Sequence, residues 1–469
     1  MSAPDRAVGV LLGAAVGDAL GVPYEYGSRS LPGPGEPARM LGGGLGGYAP
    51  GQWSDDTEMA CVLAEVAATG ADLRTADALD RIADGFLRWF ADGPADIGVQ
   101  TRAVLSAVRP GPGAAARLRA RAAELHERTG RTAGNGSLMR TGPVALAHLG
   151  DPDAIAAAAR AVSALTHHDP QAGDACALWC LAIDHAVRTG QLDLRVGLGH
   201  VGPEWAELVD EAERCTPNRF GARNGWVVAA LQCAWSAITR GGGFEEGLQA
   251  AVRAGGDTDT VAAIAGALLG AGHGGSAVPA RWRRRLHGWP GLRARDLTRL
   301  GVLAVRRGEL DPDGWPGAPT VRSYAGASER TVPHPDDPGV LLGGVGALRP
   351  GVADAVVSLC RLGADQAPLA GVAPEDHIEV WLIDGDDANL DLPAVIADAA
   401  AAVRELRAEG KTVLLHCVHA QTRTPVVAAA YGALVTGSAR AAALRRVTAV
   451  LPSACPRPSI VRGWLGSAG

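Results

Sequence analysis

The chain has 469 residues, 47% hydrophobic and 20% charged, with a net charge of −6 at neutral pH. This excludes a wholly disordered chain, and the small negative charge gives no general attraction to nucleic acid or an anionic membrane. The length exceeds one ordinary core of about 150 residues and implies more than one domain. Eight cysteines are scattered without a CxxC pair, as expected for a reduced, cytoplasmic protein. No run reaches the roughly 18–20 apolar residues of a membrane span. The opening VGVLLGAAVGDALGV is not read as a signal-peptide core, because Asp5 and Arg6 cancel before it and Asp18 interrupts it.

Up to about residue 310 the apolar positions recur at three and four, which predicts helices, with no clear alternating strand. The first helix carries Gly13, Gly17 and Gly21. A spacing of four puts them on one face and lets another helix approach closely. Glu25 follows, where a carboxylate can reach a cleft. Ser54-Asp55-Asp56-Thr57 precedes a helix over 57–68, and Asp257-Thr258-Asp259-Thr260 precedes one over 261–269. Between them lie Gly134-Asn135-Gly136-Ser137-Leu138-Met139-Arg140 and Thr166-His167-His168-Asp169. Residues 311–319 are dense in proline and glycine and read as a linker. From 320 to 469 short apolar runs at 356–360, 378–383 and 412–416 flank a helical run at 392–409. That alternation predicts a parallel α/β sheet. The expected architecture is therefore multidomain: an all-α domain over 1–310, then a smaller α/β domain over 320–469.

Ser, Thr and Asp are favoured helix N-caps, so either acidic cluster alone is explained by capping. Two such clusters in one helical domain favour metal ligation. Like charges about 4 Å apart repel by about 4 kcal/mol at an effective dielectric of 20, and divalent cations remove that cost. All-oxygen donors suit Mg²⁺, Mn²⁺ or Ca²⁺ rather than zinc. The glycines of 134–136 let backbone amides approach a diphosphate, with Asn135 and Ser137 as side-chain donors. Neighbouring His167 and His168 point about 100° apart on a helix, so one of them faces any site.

Taken in order, GAAVGDALGVPYE, SDDTEMA, GNGSLMR, THHDP and GGDTDT resemble the ADP-ribosylglycohydrolase family over about residues 5–310. The resemblance implies an all-α fold with two divalent cations, Mg²⁺ or Mn²⁺, in a cleft for ADP-ribose. Ser54, Asp55, Asp56, Asp257, Asp259 and Thr260 would be the metal ligands. Gly134, Asn135, Gly136 and Ser137 would hold the diphosphate and distal ribose, His167 would line the pocket, and Glu25 would sit by the scissile bond. Ser54 stands where the family often has threonine. The substrate would be an ADP-ribosylated protein or small molecule.

A third constellation is His416-Cys417-Val418-His419-Ala420-Gln421-Thr422-Arg423-Thr424-Pro425, the pattern HCx₅R between a strand and a helix. Amides between Cys417 and Arg423 would form an anion nest at a helix N-terminus, which favours a thiolate at Cys417. Arg423 offers a planar fork to phosphate oxygens. The motif resembles the cysteine-based tyrosine and dual-specificity phosphatases, sharply only over 378–425. That resemblance implies Cys417 as nucleophile, Arg423 as phosphate ligand, Asp384 (33 residues upstream) as proton donor and Thr424 as helper in breakdown of the intermediate. Asp386 and Asp387 are rivals for the acid, and Ala420 replaces a common glycine. No cofactor is expected there, and the substrate would be a phosphorylated protein or small molecule. The reading is a bifunctional cytoplasmic hydrolase. Its alternative is a phosphatase targeted by a non-catalytic ADP-ribose-binding domain.

Overall fold

The computed structural model describes residues 2–33, 35–310, 324, 326–363 and 365–466. The expected linker at 311–319 lies outside them. Two compact units emerge, one of Ala3–Val278 with Arg285–Glu309, the other of Pro279–Arg284 with the chain from Leu310 onward.

The larger unit is helical apart from a two-residue hairpin pairing His287–Gly288 with Leu292–Arg293 and isolated bridges. Its centre is the contact between α1 (Ser2–Gly21) and a late helix, here α2 (Thr258–His273). A Cβ at Gly13 would lie 2.1 Å from the Gly266 carbonyl oxygen, and one at Gly17 would lie 1.9 Å from that of Ala262. One at Gly21 would meet the Asp259 backbone at 2.4 Å. Glycine is therefore required by close backbone approach, and the approach carries Asp18 and Asp259 toward each other. Ala3–Gly27 has the length and hydropathy of a membrane span, but its apolar window is wholly buried within the unit. Asp151 and Asp169 cap the helices Pro152–Ser163 and Pro170–Thr189 by accepting from Ala154 N and Gln171 N. The acid of THHDP is thus a capping residue.

The smaller unit is built on a five-stranded mixed sheet. Its strands are β1 (Thr331–His334), β2 (Asp337–Gly343), β3 (Ala355–Ser358), β4 (His377–Glu379) and β5 (Val413–His416), in the order β1-β2-β5-β3-β4. Only the β1–β2 pair is antiparallel. β5 is central and fully buried, as a strand covered on both faces must be. The apolar run at 378–383 forms strand only to Glu379, then leaves the sheet and carries Asp384 into a loop. Leu392–Ala408 is the expected helix, capped by Asp391. The segment Pro279–Arg284, continuous in sequence with the helical region, docks here. Ala280 N donates to Asp398, and Arg284 pairs with Asp376 and Glu409.

Candidate active sites

In the helical unit the carboxylates come from four places in the chain. Asp18, fully buried on α1, accepts from Ser54 N (2.9 Å), Thr57 N (3.1 Å) and Thr57 Oγ1 (2.6 Å). It thereby caps the helix Asp55–Ala67 from outside, and of that helix's first-turn acids Asp55 faces the cleft while Glu58 accepts from Trp89 Nε1 (2.6 Å). Ser54 Oγ lies 2.8 Å from Asp18 Oδ1 and 3.0 Å from Asp56 Oδ2. Asp257 Oδ2 accepts from Asn135 Nδ2 (2.8 Å) and Tyr26 Oη (3.0 Å). Carboxylate oxygens of Asp18, Asp56 and Asp259 lie within 4.8 Å of one another, and those of Glu25, Asp257 and Asp259 do likewise. Asp259 belongs to both groups.

Burial pushes Asp55, Asp56 and Asp259 well above the usual carboxylate range, and their like-charged neighbours add to it. Burial raises Asp257 too, against the hydrogen bonds it accepts. Asp18 is pushed up to about 6 by burial, against the pull of its Ser54 and Thr57 donors. Burial, then Asp257 and Asp96, push Glu25 up to about 8. Asp56 Oδ1 and Glu25 Oε2 are buried without a hydrogen-bond partner. An all-oxygen set with two orphaned carboxylate oxygens fits hard divalent cations, whose charge would reverse these shifts.

A cleft of about 360 Å³ opens over this cluster, lined by Glu25, Asp55, Asp257, Asp259 and Thr260 together with Gly134, Asn135, Gly136 and His167. Ser137 departs from the expectation. Its hydroxyl takes a hydrogen bond from Ser163 (2.9 Å) inside the core, and its side chain does not line the cleft. His167 is buried at the cleft wall while His168 is exposed. Sequence reasoning missed Asp18, Tyr26 and Asp96. A charged residue in the otherwise apolar, glycine-faced stretch 8–22 was the signal available for Asp18.

In the smaller unit Cys417 follows β5 and is 3% exposed. The loop leads into the helix Arg423–Thr436. Its carbonyls are tied outward, Val418 O to Val345 N (2.9 Å), Ala420 O to Ser453 Oγ (3.3 Å) and Gln421 O to Cys455 N (2.9 Å). In a trans peptide the next residue's N–H points opposite, so the amides of His419, Gln421 and Thr422 turn inward. Ala420 holds φ +54°, the left-handed conformation that a nest requires and glycine adopts without strain. Arg423 Nη1 donates to Leu359 O (2.6 Å) and Leu382 O (3.1 Å), while its buried Nε makes no hydrogen bond among the described residues and forms a long ion pair, 3.9 Å, with Asp384 Oδ2. Asn389 clamps both backbone groups of Ile383, immediately before Asp384. Asp386 is taken by Ser459, and Asp387 sits in a left-handed turn at φ +49°. Thr424 Oγ1 is buried and unpartnered.

Behind the cysteine, Leu369 N donates to His377 Nδ1 (2.9 Å), so the proton of a neutral His377 ring is on Nε2, which faces Ser358 Oγ (2.8 Å). Ser358 then donates to His416 Nε2 (2.7 Å), and the other ring nitrogen faces the Cys417 carbonyl at 3.3 Å. Burial pulls His416 down to about 4 and keeps it neutral.

The family model for ADP-ribosylglycohydrolase matches residues 1–311. The chain is 30% identical over 299 residues to an ADP-ribosyl-[dinitrogen reductase] glycohydrolase of Rhodospirillum rubrum, covering 61% of this chain and 91% of that protein. It is also 30% identical over 290 residues to an ADP-ribosylarginine hydrolase Tri1 of Pseudomonas putida, covering 59% and 73%. Among solved structures, an ADP-ribosylglycohydrolase-related protein complex aligns over 66% of this chain and 99% of its own, with 30% identity and a TM-score of 0.46. Human DUSP28 aligns over 27% of this chain and 90% of its own, with 22% identity and a TM-score of 0.24. On the family match and the first relative, the chain belongs to the ADP-ribosylglycohydrolase family.

Proposed function

We propose that the chain is a bifunctional hydrolase whose helical unit removes ADP-ribose from arginine in a modified protein. The observation that carries this is the pair of carboxylate groups sharing Asp259, of which Glu25, Asp257 and Asp259 itself line one cleft. Asp18, Asp55, Asp56, Asp257, Asp259 and Thr260, with Ser54, would hold two divalent cations, Mg²⁺ or Mn²⁺. Such ions, when bound, orient ribose hydroxyls and acidify a water. The protein's own groups do the rest. Gly134 and Gly136 leave room for the backbone to approach a diphosphate, Asn135 holds Asp257 in place, and Glu25 offers its unpartnered oxygen to the scissile bond. The arginine acceptor is the one named for the Pseudomonas putida relative. Purified full chain with Mg²⁺ or Mn²⁺ should release ADP-ribose from an ADP-ribosylarginine peptide. Failure on arginine-, serine- and nucleic-acid-linked substrates alike overturns the reading.

The smaller unit is assigned cysteine-dependent phosphate ester hydrolysis on the inward amides of the 417–422 loop. Cys417 attacks phosphorus, Asp384 protonates the leaving oxygen, Arg423 balances the phosphate charge, and Thr424 assists water in cleaving the cysteinyl-phosphate. Hydrolysis of p-nitrophenyl phosphate by the wild type and its loss in Cys417→Ser test this. Equal rates in both overturn it.

A further inference from the structure

Arg140 is the last residue of the glycine-rich segment 134–140 and is wholly buried. Among the described residues no carboxylate is hydrogen-bonded to it. Nη1 points at Met59 Sδ (3.4 Å), the guanidinium lies 4.5 Å from the Phe86 ring centroid, and Nε has no partner. Its one strong polar contact among the described residues is Nη2 to Thr166 Oγ1, at 2.5 Å. A buried cation is costly, and this one is spent on a single hydroxyl.

That hydroxyl has a second neighbour, His167 Nδ1, at 2.8 Å. Arginine can only donate, so Thr166 Oγ1 accepts from it. If His167 Nδ1 also donated, the hydroxyl proton of the fully buried Thr166 would be left without an acceptor. The satisfied arrangement runs one way, from Arg140 to Thr166 to His167 Nδ1. His167 then carries its proton on Nε2. This nitrogen makes no hydrogen bond among the described residues, and its ring faces the glycine loop in the cleft. A Cβ at Gly136 would lie 3.3 Å from it, and one at Gly134 would lie 3.4 Å from it.

We infer that Arg140, acting through Thr166, is a positioning residue that fixes His167 as a neutral Nε2–H donor to an oxygen of the bound nucleotide. The inference rests on the reading of this cleft as an ADP-ribose site. It makes His167 a permanent donor rather than a base. Burial and the Arg140 charge pull His167 down to about 3, which agrees with a ring that stays neutral. Burial lowers Arg140 only to about 10, so its charge is kept at neutral pH.

The test uses full-length protein labelled with ¹⁵N-histidine and ADP-ribose with Mg²⁺ as the probe. Long-range ¹H–¹⁵N spectra, with His167 assigned through His167→Asn, should show the Nε2–H tautomer in the wild type and a mixture in Thr166→Val. By calorimetry, Thr166→Val should weaken ADP-ribose binding about tenfold, and Thr166→Ser should restore it to within about twofold. Arg140→Met should reproduce the mixed tautomer where it folds, and the threonine pair decides the matter where it does not. An Nδ1–H ring in the wild type, or undiminished binding by Thr166→Val, overturns the relay. A wild type with the Nε2–H ring that binds no ADP-ribose overturns the cleft reading instead.

Discussion

The two units assemble reactive groups in opposite ways. In the helical unit the carboxylates come from residues 18, 25, 55, 56, 257 and 259, and Asp18 meets Asp259 because α1 and α2 pack on bare glycine backbone. In the smaller unit the cysteine, the amides and the arginine lie within seven residues between one strand and one helix. A dispersed site depends on the whole core for its geometry, whereas a loop site depends on a few outward hydrogen bonds. Substitutions should therefore separate the two proposed activities, and core packing should couple to the first alone.

The sharpest break is reciprocal. Cys417→Ser should lower phosphate ester hydrolysis by at least about a thousandfold with ADP-ribose release unchanged. Asp259→Ala, which removes the carboxylate common to both groups, should lower ADP-ribose release more than about a hundredfold with phosphatase rate unchanged. Loss of both activities in either variant would mean that the units do not work separately. Chelation by EDTA should reproduce the Asp259→Ala pattern, with activity returning on adding Mn²⁺.

Packing gives the next effect. Gly17→Val would drive side-chain atoms into the Ala262 carbonyl and should destabilise the helical unit by about 3 kcal/mol or more, read as a fall in its thermal midpoint. In the smaller unit Ala420→Gly relieves a left-handed alanine and should stabilise by about 1 kcal/mol while leaving the loop's shape intact.

Much of the smaller site was legible because its determinants are local. A strand, a cysteine, an arginine six residues on and a helix start can be read along the chain. Asp384 was not separable from Asp386 and Asp387 by spacing. Both Asp384 and Asp386 accept a hydrogen bond, from Arg457 Nε (3.1 Å) and from Ser459, and the fold separates them by setting Asp384 Oδ2 3.9 Å from Arg423 Nε. The Ser358, His377 and His416 chain was invisible, because it joins three strands that only the sheet brings together. In the helical unit the family motifs pointed to Asp55, Asp56, Asp257 and Asp259, of which the last three fall in the two carboxylate groups and Asp55 only lines the cleft, while periodicity hid Asp18 as an interruption in an apolar stretch. Ser137 carried the right chemistry for a ligand contact, but its hydroxyl faces Ser163 in the core. Motif position fixes a backbone location and leaves side-chain direction to packing.

The smallest expected effect is on pH dependence in the sheet unit. Burial alone would raise Asp337, but hydrogen bonds from Arg407, Tyr431 and Gly339 N outweigh it and hold the carboxyl at about 2. A depressed carboxyl stabilises the fold above its ordinary value of 3.8 and loses that contribution as pH falls toward 2. Asp337→Asn should lower stability at neutral pH, and the difference from wild type should shrink in denaturant titrations carried down through that range.

Buried carboxylates from distant parts of the chain converge in the helical unit, and the proposal is that they hold divalent cations. Anomalous diffraction from crystals soaked in Mn²⁺ tests it most directly. Two peaks are expected within coordination distance of Asp56, Asp257 and Asp259. Crystals that show those side chains converged but no peak between them would contradict it.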